Sequence, residues 1–254
     1  MRVPKIVTLL SDFGLQDPYA GVMKGVIFRH CPDCQVVDLT HLIPPQDIRL
    51  GAIQLERAVP HFPVGTVHLA VVDPGVGSHR EPVVIVGQKA TYVGPNNGLF
   101  SLALRHDHIH NVYVIQPGRQ THHQPSTTFH GRDLFAPVAA KLAGGLNPQE
   151  VGPALAEPLV QLDLDDLQQR VLCVDRFGNV QLGIHRERWQ GGMGKVRLGQ
   201  QTIPFHLTYS QVAPGDLLCL WNSDGYLELA LNGGNAADML GLRAGQVVDY
   251  EVVA

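Results

Sequence analysis

The feature that most constrains this chain is an alternation of strand and helix patterns that stops part of the way along. Short apolar runs, typical of buried strands, alternate with segments whose apolar residues recur at helical spacing. This order predicts a largely parallel sheet that helices cover on both faces. After the proline-bearing stretch 152–158, mostly short strands separated by Gly or Asn follow. They predict a small all-β domain, either a sandwich or a barrel.

We therefore predict an α/β fold in two domains: a Rossmann-like α/β domain over residues 1–158 and a smaller β domain over 168–254. In the first domain the patterns predict strands at 5–10, 35–40, 66–72, 83–86, 91–93 and 111–115. Helices are predicted after an Asp17 N-cap with Pro18 at the first helical position, and over 47–59, 97–105 and 133–142, the last ending at Gly144-Gly145. In the second domain we expect strands within 171–175, 179–184, 194–198, 216–221, 225–231 and 246–253, and one helix at 235–240.

The charge balance argues against a protein that holds nucleic acid through phosphate neutralisation. The chain has 254 residues, with 19 Lys and Arg against 23 Asp and Glu, for a net charge of −4. No stretch approaches the roughly 18 to 20 apolar residues that span a bilayer, and the beginning lacks the apolar core and cleavage site of a signal peptide. Because four cysteines are fewer than a secreted scaffold usually carries, we expect a cytoplasmic protein. From the charge balance and the lack of a spanning segment, we expect no nucleic-acid or membrane partner.

Histidines and cysteines raise the question of a metal site. The histidines that alternate over 106–110 and the pair at 122–123 are more typical of a solvated surface than of chelation. The segment Cys31-Pro-Asp-Cys34 has zinc-knuckle spacing, but a second pair is missing because Cys173 and Cys219 are isolated. We therefore expect a turn after the first helix at this segment, and no metal site.

Three polar clusters fall at one edge of the predicted sheet. They are Ser11-Asp12-Phe13-Gly14, Asp73-Pro-Gly-Val-Gly-Ser-His-Arg80 and Phe129-His130-Gly131-Arg132-Asp133. In open α/β sheets, ligands bind beyond the carboxyl ends of the strands, so the clusters indicate a functional site. A purely structural interpretation is also open: a turn cap, an ion pair that steadies a loop, and a core histidine. The glycines match no known phosphate-binding loop.

The β domain offers a second candidate at Asp175-Arg-Phe-Gly-Asn179, with further polar turns at 222–226 and 232–235. Asn, Asp and Gly suit hairpin turns because they tolerate positive φ. Phe177 beside Asn179 also provides an aromatic face for stacking and an amide for pairing, which a purine site requires. The residues alone leave both interpretations open.

Seven segments in this order resemble those of the S-adenosylmethionine-dependent hydroxide adenosyltransferases, relatives of the adenosyl-fluorinases and adenosyl-chlorinases. The segments are LLSDFGLQDPYAGVMKGVI, DLTHLIPPQDI, VVDPGVGSHR, GPNNGLF, FHGRDLFAP, DRFGNVQLGI and NSDGYLELALNGGNAA. The resemblance extends from about residue 5 to the end. It implies an α/β domain followed by a C-terminal β-barrel. It also implies a homotrimer that holds each ligand between the N-terminal domain of one subunit and the C-terminal domain of its neighbour.

The resemblance further implies hydrolysis of S-adenosylmethionine to adenosine and methionine, with the substrate as the sole small molecule and no cofactor. The family's catalytic set maps onto Asp73, Arg80 and His130. In the halogenase branch a tyrosine replaces the aspartate, and the fluorinase has a serine where this chain has Gly131. The fluorinase also has an extra loop after the third strand, for which this chain has no room before Val83. These differences favour water over halide as the nucleophile.

Ligand contacts also follow from the resemblance. Asp12 matches the carboxylate that binds the ribose hydroxyls. Asp175 and Asn179 match groups at the methionine end, with Phe177 between them, and Ser223 matches a further methionine contact. The position after this serine is an aspartate here and an arginine in the fluorinase. The alternatives are a protein that binds S-adenosylmethionine or adenosine with little turnover, a halide-using transferase and, less favoured, a metal-dependent hydrolase.

Overall fold

A computed structural model of the chain shows two compact units, Met1–Leu162 and Asp163–Ala254, which we call the N-terminal unit and the C-terminal unit. It describes residues 5–121, 124–163, 165–189, 192 and 194–253. The histidine pair at 122–123 lies outside the described residues. The boundary between the units falls in the interval that separates the two predicted domains.

A six-stranded sheet forms the centre of the N-terminal unit. Its strands are β1 (Ile6–Ser11), β2 (Gln35–Thr40), β3 (Thr66–Val71), β4 (Pro82–Gly87), β5 (Ala90–Pro95) and β6 (Ile109–Val114). The strand order is β2-β1-β3-β5-β4-β6. β1, β2, β3 and β5 run parallel, whereas β4 pairs antiparallel with β5 and β6. The mostly parallel sheet is thus confirmed.

Helices cover both faces of this sheet, as the parallel pattern requires. They are α1 (Tyr19–His30), α2 (Ile48–Ala58) and α3 (Ala136–Ala143). Met23 and Ile27 of α1 pack with Leu9 in a core on one face, together with α3. Leu55 of α2 packs with Leu10 in a core on the other face. Neighbouring residues of a strand point to opposite faces. Because both faces of the sheet are covered, Leu9 and Leu10 are both buried, which explains why β1 is mostly apolar.

Two helix predictions in this unit are wrong. The residue that caps α1 is Pro18, and no side chain caps this helix, so Asp17 is not the N-cap and the proline precedes the first helical residue. The predicted helix over 97–105 is reduced to a 3₁₀ helix at Ala103–His106. There the Asn97 side chain donates to Val72 O at 2.9 Å, a tertiary contact, and Gly98 has a φ of +95° that no helix contains.

The last helix and the cysteine turn also differ from expectation. Before α3 the chain forms a π-helical turn, Gly131–Phe135, so the helix begins earlier and is wider at its start than predicted. It ends at the expected glycine pair, with Gly144 as the C-cap. Cys31 and Cys34 form the expected turn after α1 and are in addition joined by a disulfide. No helix in the described part of the chain is long and apolar enough to cross a membrane.

The C-terminal unit contains two separate antiparallel sheets over a shared apolar core. Its strands are β7 (Val171–Val174), β8 (Val180–His185), β9 (Lys195–Leu198), β10 (Gln201–Pro204), β11 (Leu217–Trp221), β12 (Tyr226–Leu231) and β13 (Tyr250–Val253). The sheet orders are β10-β9-β13 and β11-β12-β8-β7. Two short helices are α4 (Asp165–Gln168) and α5 (Ala236–Leu240). The sequence patterns did not indicate β10, and β13 is shorter than its predicted segment.

The start of α2 provides a test of helix capping. Asp47 Oδ1 accepts the Leu50 N–H at 2.9 Å, whereas Asp17 caps nothing. We expect Asp47→Ala to lower the free energy of unfolding by about 1 kcal/mol in urea denaturation, because a terminal N–H loses its acceptor. The matched change Asp17→Ala should leave it within about 0.5 kcal/mol of wild type. Equal losses in both variants would contradict the assignment.

Candidate active site

The sheet topology creates a crevice at the carboxyl ends of β1 and β3. The chain leaves β1 towards β2 on one side and returns past β1 to β3 on the other, which makes this pair of strands the switch point where α/β proteins bind ligands. Asp12 directly follows β1, and Asp73 comes two residues after β3. A cavity of about 370 Å³, within the usual range for ligand sites, lies here and is called the N-terminal pocket. It is lined by Asp12, Phe13, Tyr19, Pro45, Gln46, Val71, Asp73, Pro74, Val76, Thr128, Phe129, His130 and Gly131.

Two successive tight turns fold the loop between β3 and β4 back on itself. Val76 N donates to Asp73 O at 3.2 Å, and Ser78 N donates to Gly75 O at 3.0 Å. Gly77 has a φ of +75°, and a Cβ at this position would lie only 2.4 Å from Thr127 O. Only glycine meets both conditions. The loop therefore places Arg80 beside Asp73 and packs closely against the segment that leads to His130.

Arg80 connects the other two residues predicted to be catalytic, Asp73 and His130. Its Nε lies 2.9 Å and 3.0 Å from the two carboxylate oxygens of Asp73, and its Nη2 also bonds to Oδ2. The same Nη2 lies 2.7 Å from His130 Nδ1. The Asp73 side chain is 5% exposed and that of Arg80 is 9% exposed, with the guanidinium 5.3 Å above the Phe135 ring. The three side chains form one connected group, in which Asp73 and Arg80 are nearly buried and His130 is partly buried.

The protonation of His130 follows from its surroundings. Burial lowers the pKa of His130, the positive charge of Arg80 lowers it further, and Asp73 and Asp133 oppose the shift only partly. The ring is therefore neutral near neutral pH. Because a guanidinium only donates hydrogen bonds, Nδ1 is an acceptor and the proton resides on Nε2. With its acceptor nitrogen occupied, His130 cannot take another proton without losing the contact with Arg80.

Asp12 provides a second carboxylate in the same pocket. Its Oδ2 accepts the Gln46 N–H at 2.8 Å, while Oδ1 accepts no hydrogen bond from the described residues. One oxygen thus fixes the side chain, and the other is available to a ligand hydroxyl.

Three aromatic rings form an apolar wall of this pocket that the sequence reasoning did not identify. The ring centroids of Phe13, Tyr19 and Phe129 lie 5.2 to 5.9 Å apart, each pair edge to face. Tyr19 lies on the first turn of α1 and is 46% exposed, so part of its ring remains open to the pocket and to solvent. That exposure is not visible in the periodicity of the sequence.

A second cavity of about 730 Å³, the C-terminal pocket, lies within the C-terminal unit. Its lining residues are Asp175, Phe177, Asn179, Tyr209, Leu231, Asn232, Gly233, Gly234 and Asn235. Asp175 Oδ1 accepts the backbone N–H groups of Phe177 and Asn179 at 2.8 and 2.9 Å, and Oδ2 accepts the Asn179 amide at 2.9 Å. The hairpin-turn interpretation is therefore correct for this carboxylate, while Phe177, 75% exposed, presents its ring at the pocket.

Two turns of this pocket are interlocked. Gly178 has a φ of +86°, and a Cβ there would lie 2.1 Å from Asn235 Oδ1. The same Oδ1 accepts the Asp238 N–H at 2.9 Å and so caps α5, while Ala237 N donates to Gly178 O at 2.9 Å. The turn that carries Phe177 is thus fixed against the start of α5.

Tyr209 is a pocket residue that no sequence pattern indicated; its hydroxyl donates to Glu228 Oε1 at 2.7 Å. Ser223, predicted to bind substrate, lies exposed in the turn between β11 and β12 and lines neither pocket. Among the residues that the structure describes, no group of three or more His, Cys, Asp or Glu side chains is arranged to hold a metal ion.

Comparisons with known proteins agree with this geometry. Residues 7–152 match the model of the SAM hydroxide adenosyltransferase N-terminal domain, and residues 169–249 match that of the C-terminal domain. The chain belongs to the SAM hydroxide adenosyltransferase family. It is 43% identical to a protein of Thermus thermophilus named (R)-S-adenosyl-L-methionine hydrolase, over 95% of this chain and 98% of the relative. A protein of Salinispora tropica with the same name is 40% identical, over 94% and 95%.

The chain is also similar to a more distant relative and to a solved structure. A fluorinase of Nocardia brasiliensis is 29% identical over 97% of both chains. The crystal structure of a conserved protein from Thermotoga maritima superposes with a TM-score of 0.88 at 32% identity, covering 97% of this chain and all of that one.

The charge of Arg80 should be measurable in the titration of His130. We expect His130 to titrate below its usual pKa in wild type and at a higher pKa in Arg80→Gln, because the variant loses a neighbouring positive charge. Arg80→Lys retains the charge and serves as the control. Histidine ring signals in NMR report both values. His68, whose pKa burial lowers to about 4, should not respond to either change. A His130 pKa that is equal in all three proteins would refute the assignment.

Proposed function

We propose that this protein hydrolyses S-adenosyl-L-methionine to adenosine and L-methionine. The observation that carries the proposal is the buried contact of Arg80 with Asp73 and His130, in a pocket at the switch point of the sheet. Family membership and the names of the relatives support the same substrate. Because those names specify the (R) sulfonium epimer, we propose this epimer as the preferred substrate.

The chemistry is a displacement at the ribose C5′ carbon. A water oxygen forms a bond to C5′ as the bond from C5′ to sulfur breaks, and the electron pair of that bond goes to sulfur. The leaving group is then a neutral thioether, which needs neither a general acid nor a Lewis acid. One proton of the water is released. The protein must therefore accept a proton, align the water with the departing sulfur and exclude bulk solvent.

We assign these tasks within the three-residue group on the basis of its hydrogen bonds. Arg80 has no acceptor, and the single acceptor nitrogen of His130 is occupied. Asp73 Oδ1 accepts one bond from Arg80 and retains a second lone pair, so the Asp73 carboxylate takes the proton. The Nε2–H of His130 donates to the water oxygen and orients it. Arg80 holds both partners and stabilises negative charge as the water approaches hydroxide.

The packing around Gly131 supports water rather than halide as the nucleophile. A Cβ at this position would lie 3.2 Å from Met23 Sδ, Phe129 Cε2 and Phe13 Cζ, so the serine of the fluorinase fits only if these groups move. Only ten residues separate β3 from β4, and this short loop contains the turns that hold Arg80 beside Asp73.

The remaining roles rest on the family resemblance. We propose that Asp12 binds the ribose hydroxyls and that Asp175, Phe177, Asn179 and Ser223 bind the rest of the substrate. The same resemblance supports a closed C-terminal barrel and a homotrimer whose sites combine the N-terminal unit of one subunit with the C-terminal unit of a neighbour. The low number of cysteines supports a cytoplasmic location. The resemblance also supports a reaction without cofactor.

Isotope-labelled water gives the direct test. We expect purified protein incubated with S-adenosylmethionine in ¹⁸O-water to form labelled adenosine and methionine, faster from the (R) epimer than from the (S) epimer, with or without a chelator. Mass spectrometry of the nucleoside product distinguishes the alternatives. A 5′-chloro nucleoside in the presence of chloride would indicate a halogenase. Retained ligand without turnover would indicate a binding protein.

Replacing the proposed base separates catalysis from binding. We expect Asp73→Asn to lower the turnover rate by about 10²- to 10⁴-fold, because the amide cannot accept the proton, and to leave adenosine affinity largely unchanged. The control is Asp33→Asn, at an exposed ion pair with Lys5. Steady-state rates and calorimetric adenosine binding measure the two effects. Near-normal turnover in Asp73→Asn would show that the role assigned to Asp73 is wrong.

A further inference from the structure

A hydrogen-bonded group of buried Ser11, buried His41 and partly exposed Asp38 lies next to the loop that carries Asp12. Ser11 Oγ is 2.7 Å from His41 Nδ1, and His41 Nε2 is 3.1 Å from Asp38 Oδ1. Ser11 ends β1, Asp38 lies on β2, and His41 follows β2, so the pairing of these two parallel strands brings the three residues together. The residue types and contacts match those of a hydrolytic Ser-His-Asp triad.

Burial excludes the hydrolytic role. Ser11 is 1% exposed and His41 is 3% exposed, and neither lines the pocket. A nucleophile must reach its substrate, and this hydroxyl does not. The role of these three hydrogen-bonded residues must therefore be structural, within the protein.

A series of hydrogen bonds connects the Asp38 carboxylate to the backbone of Phe13. A carboxylate only accepts hydrogen bonds, so His41 Nε2 carries a proton and donates a hydrogen bond to Asp38 Oδ1. The Ser11 hydroxyl and His41 Nδ1 share the next hydrogen bond. The hydroxyl oxygen in turn accepts the N–H of Phe13 at 3.3 Å. At the far end, Lys24 of α1 pairs with Asp38 at 2.5 Å.

These bonds hold the two residues that follow Asp12. Phe13 N is held by the Ser11 hydroxyl, and Gly14 N donates to His41 O at 2.8 Å. Asp12 itself has one oxygen fixed by Gln46 N. The position of the available oxygen of Asp12, Oδ1, thus depends on a loop that is held by the side chain and the backbone carbonyl of His41.

We propose that Ser11, His41 and Asp38 are positioning residues for the ribose subsite, acting through the loop that carries Asp12. This rests on the proposed function, in which Asp12 binds the ribose hydroxyls. Hydrogen bonds to a carboxylate are strong only when its oxygens are correctly placed, so a loosened loop costs affinity for the hydroxyls in particular.

The test compares two nucleosides that differ only in those hydroxyls. Calorimetry gives the affinities of wild type and Ser11→Ala for adenosine and for 2′,3′-dideoxyadenosine. We expect wild type to prefer adenosine, and Ser11→Ala to lose about 10-fold of that preference. The matched control is Thr8→Val. Thr8 is buried on the same strand, and its hydroxyl bonds to His68 Nδ1 at 2.8 Å with no contact to the pocket. This change removes a comparable buried hydrogen bond and should leave the preference unchanged.

A second pair of variants tests the far end of the chain without altering the core, because the Asp38 side chain is 39% exposed. Asp38→Ala should reduce the adenosine preference, and Asp38→Asn should restore most of it because the amide oxygen still accepts from His41. An unchanged preference in both Ser11→Ala and Asp38→Ala overturns the proposal. Equal effects in Ser11→Ala and Thr8→Val also overturn it, since the cause is then general destabilisation.

The outcome is separable from that of the proposed function. Absence of hydrolysis by a wild type that prefers adenosine refutes the hydrolase and leaves the positioning role standing. Hydrolysis by a Ser11→Ala variant with full preference for adenosine refutes only the positioning role. Equal binding of both nucleosides by wild type refutes the positioning role, because there is then no ribose subsite to hold.

Discussion

A buried guanidinium with two different partners is the interaction on which the site depends. Removing a charge from water costs several kcal/mol, and only well-placed partners offset that cost. Arg80 meets this requirement with the carboxylate of Asp73 on one side and the neutral ring of His130 on the other. Because the partners come from separate segments, both segments must be held rigidly. The glycine turns after β3 and the π-helical turn before α3 serve this purpose.

The location of the site could be predicted because it follows from topology. Apolar runs mark parallel strands, the carboxyl ends of such strands share an edge, and polar residues that follow them must lie there. Asp12 and Asp73 were located in this way, and they line one pocket with His130, whose cluster was placed before the last helix. The roles of the three residues came from the family resemblance. The bend of the chain at Asn97 was not predictable, because it depends on a contact with the carbonyl of Val72, far away in sequence. The aromatic wall and the position of Tyr209 at its pocket depend on similar tertiary proximity.

Residue type alone did not decide between structural and functional roles. Asp175 uses both carboxylate oxygens to shape its own turn, yet that turn exposes Phe177 at a pocket. Ser11 and His41 have the chemistry of a nucleophile and its base, yet burial confines them to the interior. In both cases exposure and hydrogen-bond partners determine the role, and neither is visible in a motif. Sequence patterns therefore locate candidates, and the fold assigns what they do.

The interlocked turns of Gly178 and Asn235 have a consequence for how the C-terminal pocket can change. Its shape is set by main-chain segments that share hydrogen bonds, so one rim cannot widen unless a helix start is released as well. Exchanging a single side chain alters the surface of this pocket but not its span. A bulkier ligand would require coordinated substitutions on both segments. The backbone, and not any single side chain, therefore limits the size of the ligand that this pocket accepts.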